Sequence, residues 1–167
     1  MTDIPKIETE RLHLRPATMA DWPDYCALME SDRACFMGGP HSRQNAWGMF
    51  CNDVAQWNLF GHGALMFDLK DSGESLGQVA INAGPMFPEH EIGWLVYPHV
   101  EGKGYAFEAA TAMRDWAFTA LNLSTLVSYI DPENHRSIKL AERLGAKRDD
   151  NARRPEPATL VYRHPRP

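Results

Sequence analysis

Glu101-Gly102-Lys103-Gly104-Tyr105-Ala106 is the stretch on which the reading of the fold turns. Ahead of it, Glu91-Ile92-Gly93-Trp94-Leu95-Val96 has the composition of a strand, with one glycine that permits a bulge or a close backbone approach. Behind it, residues from Tyr105 to about Leu121 follow a helical pattern. A strand that runs into a glycine turn and then a helix leaves several backbone N–H groups unpaired. The helix macrodipole adds partial positive charge at the same point. Gly102 and Gly104 let that backbone approach a ligand with no Cβ in the way. Such a place suits phosphate or pyrophosphate. It is not a P-loop, because no G-K-[ST] follows, and Phe107 breaks the G-x-G-x-x-G pattern. The segments before it form a hairpin rather than the first strand of a nucleotide-binding βαβ unit, which disfavours a dinucleotide dehydrogenase. An acyl carrier bearing a pyrophosphate remains.

Toward the N-terminus, Arg11-Leu12-His13-Leu14-Arg15 alternates and Pro16 stops it, which predicts a short first strand. Thr18 to Asp21 has the S/T-x-x-D form of a helix start, followed by Trp22, Tyr25, Cys26 and Met29 at helical spacing. A second helix is predicted from Ser42 to about Phe60, with Trp47, Phe50, Val54 and Trp57 as its core-facing stripe. Gly63 to Leu69 and Leu76 to Asn82 form a hairpin around Asp71-Ser72-Gly73. Thr125 to Ile130 is a buried strand, Asn134 to Leu144 a helix ended by Gly145, and Thr159 to Arg163 a closing strand. This order of strands and helices mixes hairpins with crossovers. It predicts one α+β domain over residues 1–167 with a mixed sheet.

A second segment, Asn134-His135-Arg136-Ser137-Ile138-Lys139-Leu140-Ala141-Glu142-Arg143-Leu144-Gly145, also carries candidate chemistry. Asn134 can cap the helix, and Arg136, Lys139 and Arg143 share one face. Net charge is −5 overall, yet residues from Arg136 onward carry +5 and the rest −10. That asymmetry suggests a local anion site, while the acidic total argues against a nucleic-acid binder.

Together the two segments resemble the GNAT superfamily of N-acetyltransferases, and within it the RimJ/RimL-like branch. The acetyl-CoA motif of that family, often Q-G-K-G-Y-A-x-E-A, is matched by Glu101 to Ala109. Its later N-x-x-S-x-x-x-x-E-x-x-G is matched by Asn134, Ser137, Glu142 and Gly145. The opening I-x-T-x-R-L-x-L-R-P of the branch is matched from Ile7 to Pro16, and Leu160-Val161-Tyr162-Arg163 is similar to its last strand. The resemblance implies a mostly antiparallel central sheet flanked by helices and splayed between the strands at 91–96 and 125–130. It also implies an acetyl-CoA-dependent N-acetyltransferase acting on a primary amine, a protein N-terminus or a small molecule, by direct attack. The alternative is a non-catalytic acyl-CoA-binding regulatory module.

Trp94, Leu95 and Val96 should then pair with pantetheine, and Gly102, Lys103, Gly104, Tyr105 and Ala106 should hold the pyrophosphate. Asn134, Arg136, Ser137 and Lys139 should complete the cofactor site. Glu91 is the candidate proton acceptor and Ser137 attends the departing sulfur, with His90 as the other candidate base. Two departures stand out. Glu101 replaces the usual Gln or Arg, and its carboxylate is expected to turn to solvent. Ala141 stands where many members of the superfamily carry a tyrosine acid.

Cys26, Cys35 and Cys51 contain no C-x-x-C pair, so neither a disulfide framework nor a metal site is expected; Cys26 and Cys51 are expected to pack as small buried hydrophobes. No apolar run reaches the roughly 18 residues of a membrane span. The start lacks the basic-then-apolar order of a secretion signal, so the expected location is cytoplasmic. The expected partners are acetyl-CoA and an amine, and a homodimer is left open.

Overall fold

The computed structural model describes residues 3–167. In chain order the elements are β1 (Ile7–Glu8), β2 (Leu12–Arg15), α1 (Trp22–Glu30), α2 (Arg43–Phe60), β3 (Ala64–Leu69), β4 (Ser75–Asn82) and β5 (Glu91–Val96). They continue with α3 (Tyr105–Ala120), β6 (Val127–Ile130), α4 (His135–Arg143), β7 (Lys147–Arg148) and β8 (Leu160–Arg163). The eight strands form one sheet in the order β1-β2-β3-β4-β5-β6-β8-β7. Every neighbouring pair is antiparallel except β5 with β6. The mixed, mostly antiparallel sheet flanked by helices is therefore observed.

Local chemistry explains most of the boundaries. Thr18 and Asp21 form a reciprocal capping box, Pro23 sits in the first turn of α1, and Ser42 caps α2 by accepting from the Asn45 N–H. Asn134 caps α4 by accepting from the Ser137 N–H at 3.3 Å. The stripe on α2 is only half core. Phe50 and Trp57 are buried, whereas Trp47 and Val54 are 43% and 37% exposed. At 3.6 residues per turn these four positions fan over roughly 80°, which puts Trp47 and Val54 on the edge. Trp47 packs against the Trp22 ring instead, 5.0 Å between centroids. Cys26 is buried as expected, but Cys51 is exposed because its side of α2 faces away from the sheet. Gly93 makes no bulge: β4 and β5 stay in register from Gly77↔Val96 to Asn82↔Glu91.

The β5–β6 contact decides the shape of the molecule. It contains one residue pair, Glu91↔Val127. The Val127 N–H donates to the His90 carbonyl at 3.1 Å, and the Ser128 hydroxyl donates to the Ile92 carbonyl at 2.7 Å. Past that point the strands part, leaving a wedge that opens toward Val96. Two apolar clusters lie on either side, a large one and a small one built on Ile130, Ala141, Ala146 and Tyr162. Half-buried Trp94 packs against both.

One carboxylate ties the N-terminal strands to the start of α3. Glu108 accepts from the Thr9 hydroxyl at 2.6 Å, the Arg11 N–H at 2.7 Å and Arg11 Nε at 2.7 Å. Arg11 also donates to the Lys103 carbonyl at 3.1 Å and lies over the Tyr105 ring at 4.5 Å. Burial pushes the Glu108 carboxyl up, but the donors from Thr9 and Arg11 outweigh it and hold the group below the usual carboxylate range. A depressed carboxyl stabilises the fold above its unfolded pKa, and that stabilisation is lost as pH falls through the folded value. Glu108→Gln should cost about 2 kcal/mol near neutrality, where hydrogen bonds to a charged group are weakened. Urea denaturation should show the gap from wild type closing on acidification, as the wild-type carboxyl protonates.

Candidate functional site

Both faces of the wedge open into cavities. On the side of the glycine turn lies a groove of about 890 Å³, walled by Trp94, Leu95 and Val96, by Gly102, Gly104, Tyr105 and Ala106, and by α4. On the other side lies a cavity of about 1010 Å³ that reaches under α2. Trp94, Leu95, Asn134 and Ser137 line both. The two spaces therefore meet at the wedge.

In the groove, Gly102 and Gly104 have φ of +77° and +80°, where a side chain would be strained. A Cβ on Gly102 would point into open space and one on Gly104 would sit 3.5 Å from the Arg11 guanidinium. The first backbone bond of α3 is from the Glu108 N–H to the Gly104 carbonyl at 3.1 Å, so the N–H groups of its first turn are free. Arg33, Arg136, Lys139 and Arg143 supply positive charge along the same groove. Arg143 also lies over the Phe107 ring at 4.6 Å. Free N–H donors, absent Cβ atoms and clustered cations fit a diphosphate.

Of the residues expected from sequence to hold the cofactor, all but Lys103 line this groove. Lys103 is exposed and lines neither cavity; its carbonyl, not its ammonium, is used, by Arg11. Glu101 does not turn to solvent. Its carboxylate forms ion pairs with Arg33 and with Arg136 across the groove, because two guanidinium groups flank it. Ser137 is more than a helix-start residue: its hydroxyl accepts from Trp94 Nε1 at 3.2 Å, at the seam between the two spaces. Ala141 is fully buried within the small cluster and offers no acid.

The larger cavity holds Glu91. Asn82 Nδ2 donates to its carboxylate at 2.7 Å, and the Asn82 amide is oriented in turn by Gln56 Nε2 at 3.0 Å. A Cβ on Gly93 would come within 3.2 Å of the Glu91 carboxylate, so the glycine gives that side chain room to fold along its own strand. Burial pushes the Glu91 carboxyl up to about 7, helped by the nearby charge of Asp53 and opposed by the Asn82 hydrogen bond. His90 lines neither cavity; its ring packs edge-on against His62, 5.2 Å between centroids.

Sequence reasoning missed Asp53, which lies on α2 and lines the cavity, with the Tyr25 hydroxyl donating to it at 3.2 Å. Burial pushes its carboxyl up to about 6, against hydrogen bonds from Tyr25, Gln78 and Asn52. One signal could have found it: an acid between Phe50 and Trp57 in a core-facing stripe. Arg33 and Asn82 were missed as well, and neither belongs to a motif.

A family model described as the acetyltransferase (GNAT) domain matches residues 11–147. The crystal structure of an acetyltransferase from Agrobacterium tumefaciens str. C58 superposes with a TM-score of 0.96 at 54% identity, covering 98% of this chain and 96% of that one. The uncharacterized N-acetyltransferase YnaD of Bacillus subtilis (strain 168) is 38% identical over 65 residues, 38% of each chain. The spermidine N(1)-acetyltransferase of Escherichia coli (strain K12) is 32% identical over 95 residues, 56% of this chain and 51% of the relative. The matched stretches thus span about two fifths and half of those two relatives.

The coupling between the two carboxyl groups is directly measurable. Carbon-13 NMR of the Glu91 side chain should give a midpoint near 7. Asp53→Asn should move that midpoint down while leaving it above the ordinary glutamate range, because burial remains. An unchanged midpoint would mean that the two groups do not sense each other.

Proposed function

This chain belongs to the GNAT acetyltransferase family, and from that premise we propose that it transfers an acetyl group from acetyl-CoA to a cationic primary amine held in the larger cavity. The observation that carries the reading is the meeting of a cation-lined groove and a carboxylate-lined cavity at Trp94 and Ser137. When bound, acetyl-CoA supplies an activated thioester carbonyl for direct attack by the amine, and coenzyme A leaves as a thiolate. Gly102, Gly104, Tyr105 and Ala106 bind the diphosphate, with Arg136 and Lys139 nearby. Trp94 to Val96, splayed from β6, present backbone groups to pantetheine.

An incoming amine is protonated near neutrality and must lose a proton before it attacks. Glu91, with its carboxyl raised to about 7, is suited to accept that proton directly or through a water. Ser137 is hydrogen-bonded to Trp94 at the seam, where it can face the leaving sulfur. The cavity lining contains Asp53, Glu91 and Asp131 but no Lys or Arg. Such a lining favours an amine with no carboxylate or phosphate of its own, such as a polyamine or a peptide N-terminus, over a free amino acid. Similarity to a spermidine acetyltransferase supports the polyamine end of that range.

Thiol release from acetyl-CoA against a panel of polyamines, peptide N-termini and amino acids tests the reading. Turnover with no amine in the panel would leave the non-catalytic acyl-CoA module in its place. With an active amine, kcat should rise through pH 7 and level off, as the Glu91 carboxyl ionises. Glu91→Gln should lower kcat on the order of 100-fold or more and abolish that limb. Full kcat in Glu91→Gln across the same pH range would exclude the residue as the base.

A further inference from the structure

The ion pairs of Glu101 bring together three residues from distant parts of the chain. Arg33 lies in the turn between α1 and α2, Glu101 at the entry to the glycine turn, and Arg136 in the first turn of α4. All three line the groove, and Glu101 bonds to both guanidinium groups at once. A carboxylate between two guanidinium groups makes the contacts that a phosphate oxygen pair would make. It also stands immediately beside the free N–H groups that begin at Gly102. A diphosphate on those N–H groups and the Glu101 carboxylate cannot share the place without like-charge repulsion.

We propose that Arg33 and Arg136 bind the phosphates of coenzyme A, and that Glu101 is an internal anion that occupies both arginines until the phosphates displace it. The inference rests on the acetyl-CoA reading above and adds Arg33, which lies outside both matched motifs, to the binding site. Physically the exchange is one anion for another. The free protein keeps two guanidinium groups compensated by Glu101, and the bound protein keeps them compensated by phosphate. Because the carboxylate links the α1–α2 turn to α4, its release also frees the mouth of the groove. Two other groove cations, Lys139 and Arg143, make no ion pair among the described residues, so they attract the incoming phosphates without competition. The cost of the exchange falls on affinity and on its salt dependence. Salt weakens the internal pairs and the phosphate contacts together, so the two effects partly cancel in the wild-type chain.

Isothermal calorimetry on the full chain separates the alternatives, using coenzyme A, dephospho-coenzyme A and phosphate-free pantetheine at low and high salt. Glu101→Gln should tighten coenzyme A binding by about three- to tenfold, the equivalent of releasing two partly exposed ion pairs, and should steepen its salt dependence. Dephospho-coenzyme A should show the gain too, and pantetheine should not. Arg33→Ala should weaken coenzyme A in the wild-type and the Glu101→Gln backgrounds alike, with Arg33→Lys retaining part of the affinity. Melting temperatures of all variants identify any that fail to fold.

Unchanged or weaker binding by Glu101→Gln would overturn the proposal, because Glu101 would then be organising the arginines for the cofactor. An equal gain with pantetheine would overturn it by showing that charge is not what is exchanged. Arg33→Ala without effect in the Glu101→Gln background would remove Arg33 from the phosphate site. Should the wild-type chain itself not bind coenzyme A at millimolar concentration, the acetyl-CoA reading fails first, and the inference with it.

Discussion

Two neighbouring strands that share one residue pair join a sheet at a single point, and the rest of this structure is arranged around that fact. Past Glu91↔Val127 the β5 edge faces an opening instead of a partner. Unpaired backbone in such an edge needs hydrogen-bond partners, and a ligand with amide groups can provide them. The same divergence creates the space on either side of Trp94, whose ring is wide enough to touch both apolar clusters. Without the wedge there would be neither groove nor cavity, and Ser137 would have no seam at which to receive the indole N–H.

The two spaces are electrostatic opposites although they touch. On the groove side four cations face a run of free N–H groups; on the cavity side Asp53 and Glu91 sit in surroundings that resist their ionisation. A carboxyl whose ionised form is disfavoured by burial is relieved by a proton or by a cation. Anion and cation sites so close together would neutralise each other if their side chains could reach across. Trp94 stands between them, and its single polar atom is committed to Ser137. Glu101 illustrates the same economy on a smaller scale, since its carboxylate finds two guanidinium partners within the groove.

Much of this was legible in the sequence, for identifiable reasons. The glycine turn, the Asn134 cap and the strand at 91–96 are local signals, and each landed on its element within a residue or two. The family resemblance marks Glu91 and Ser137, and both line the larger cavity. What was hidden depends on distance along the chain. Arg33 reaches Glu101 only through the turn after α1, and Asn82 acquires its role from Gln56 on a different element. Nothing local to Glu101 marks its partners; beside free N–H groups an unpaired carboxylate belongs in solvent, and a doubly paired one does not. Trp47 and Val54 fall outside the core because periodicity marks an arc of a helix but not the point at which the sheet ends beneath it.

The contact between Thr9 and Glu108 spans 99 positions of sequence, and that separation has a kinetic side. Contacts so remote contribute only after the intervening chain has paid its loop-closure entropy, which makes them late events in folding. On the ribosome, Thr9 and Arg11 emerge long before the carboxylate that they must bind. The opening strands therefore wait for α3, and the glycine turn gains its backing from Arg11 only when they meet. The ordering of the glycine turn is in this sense a report that the opening strands and α3 have found each other.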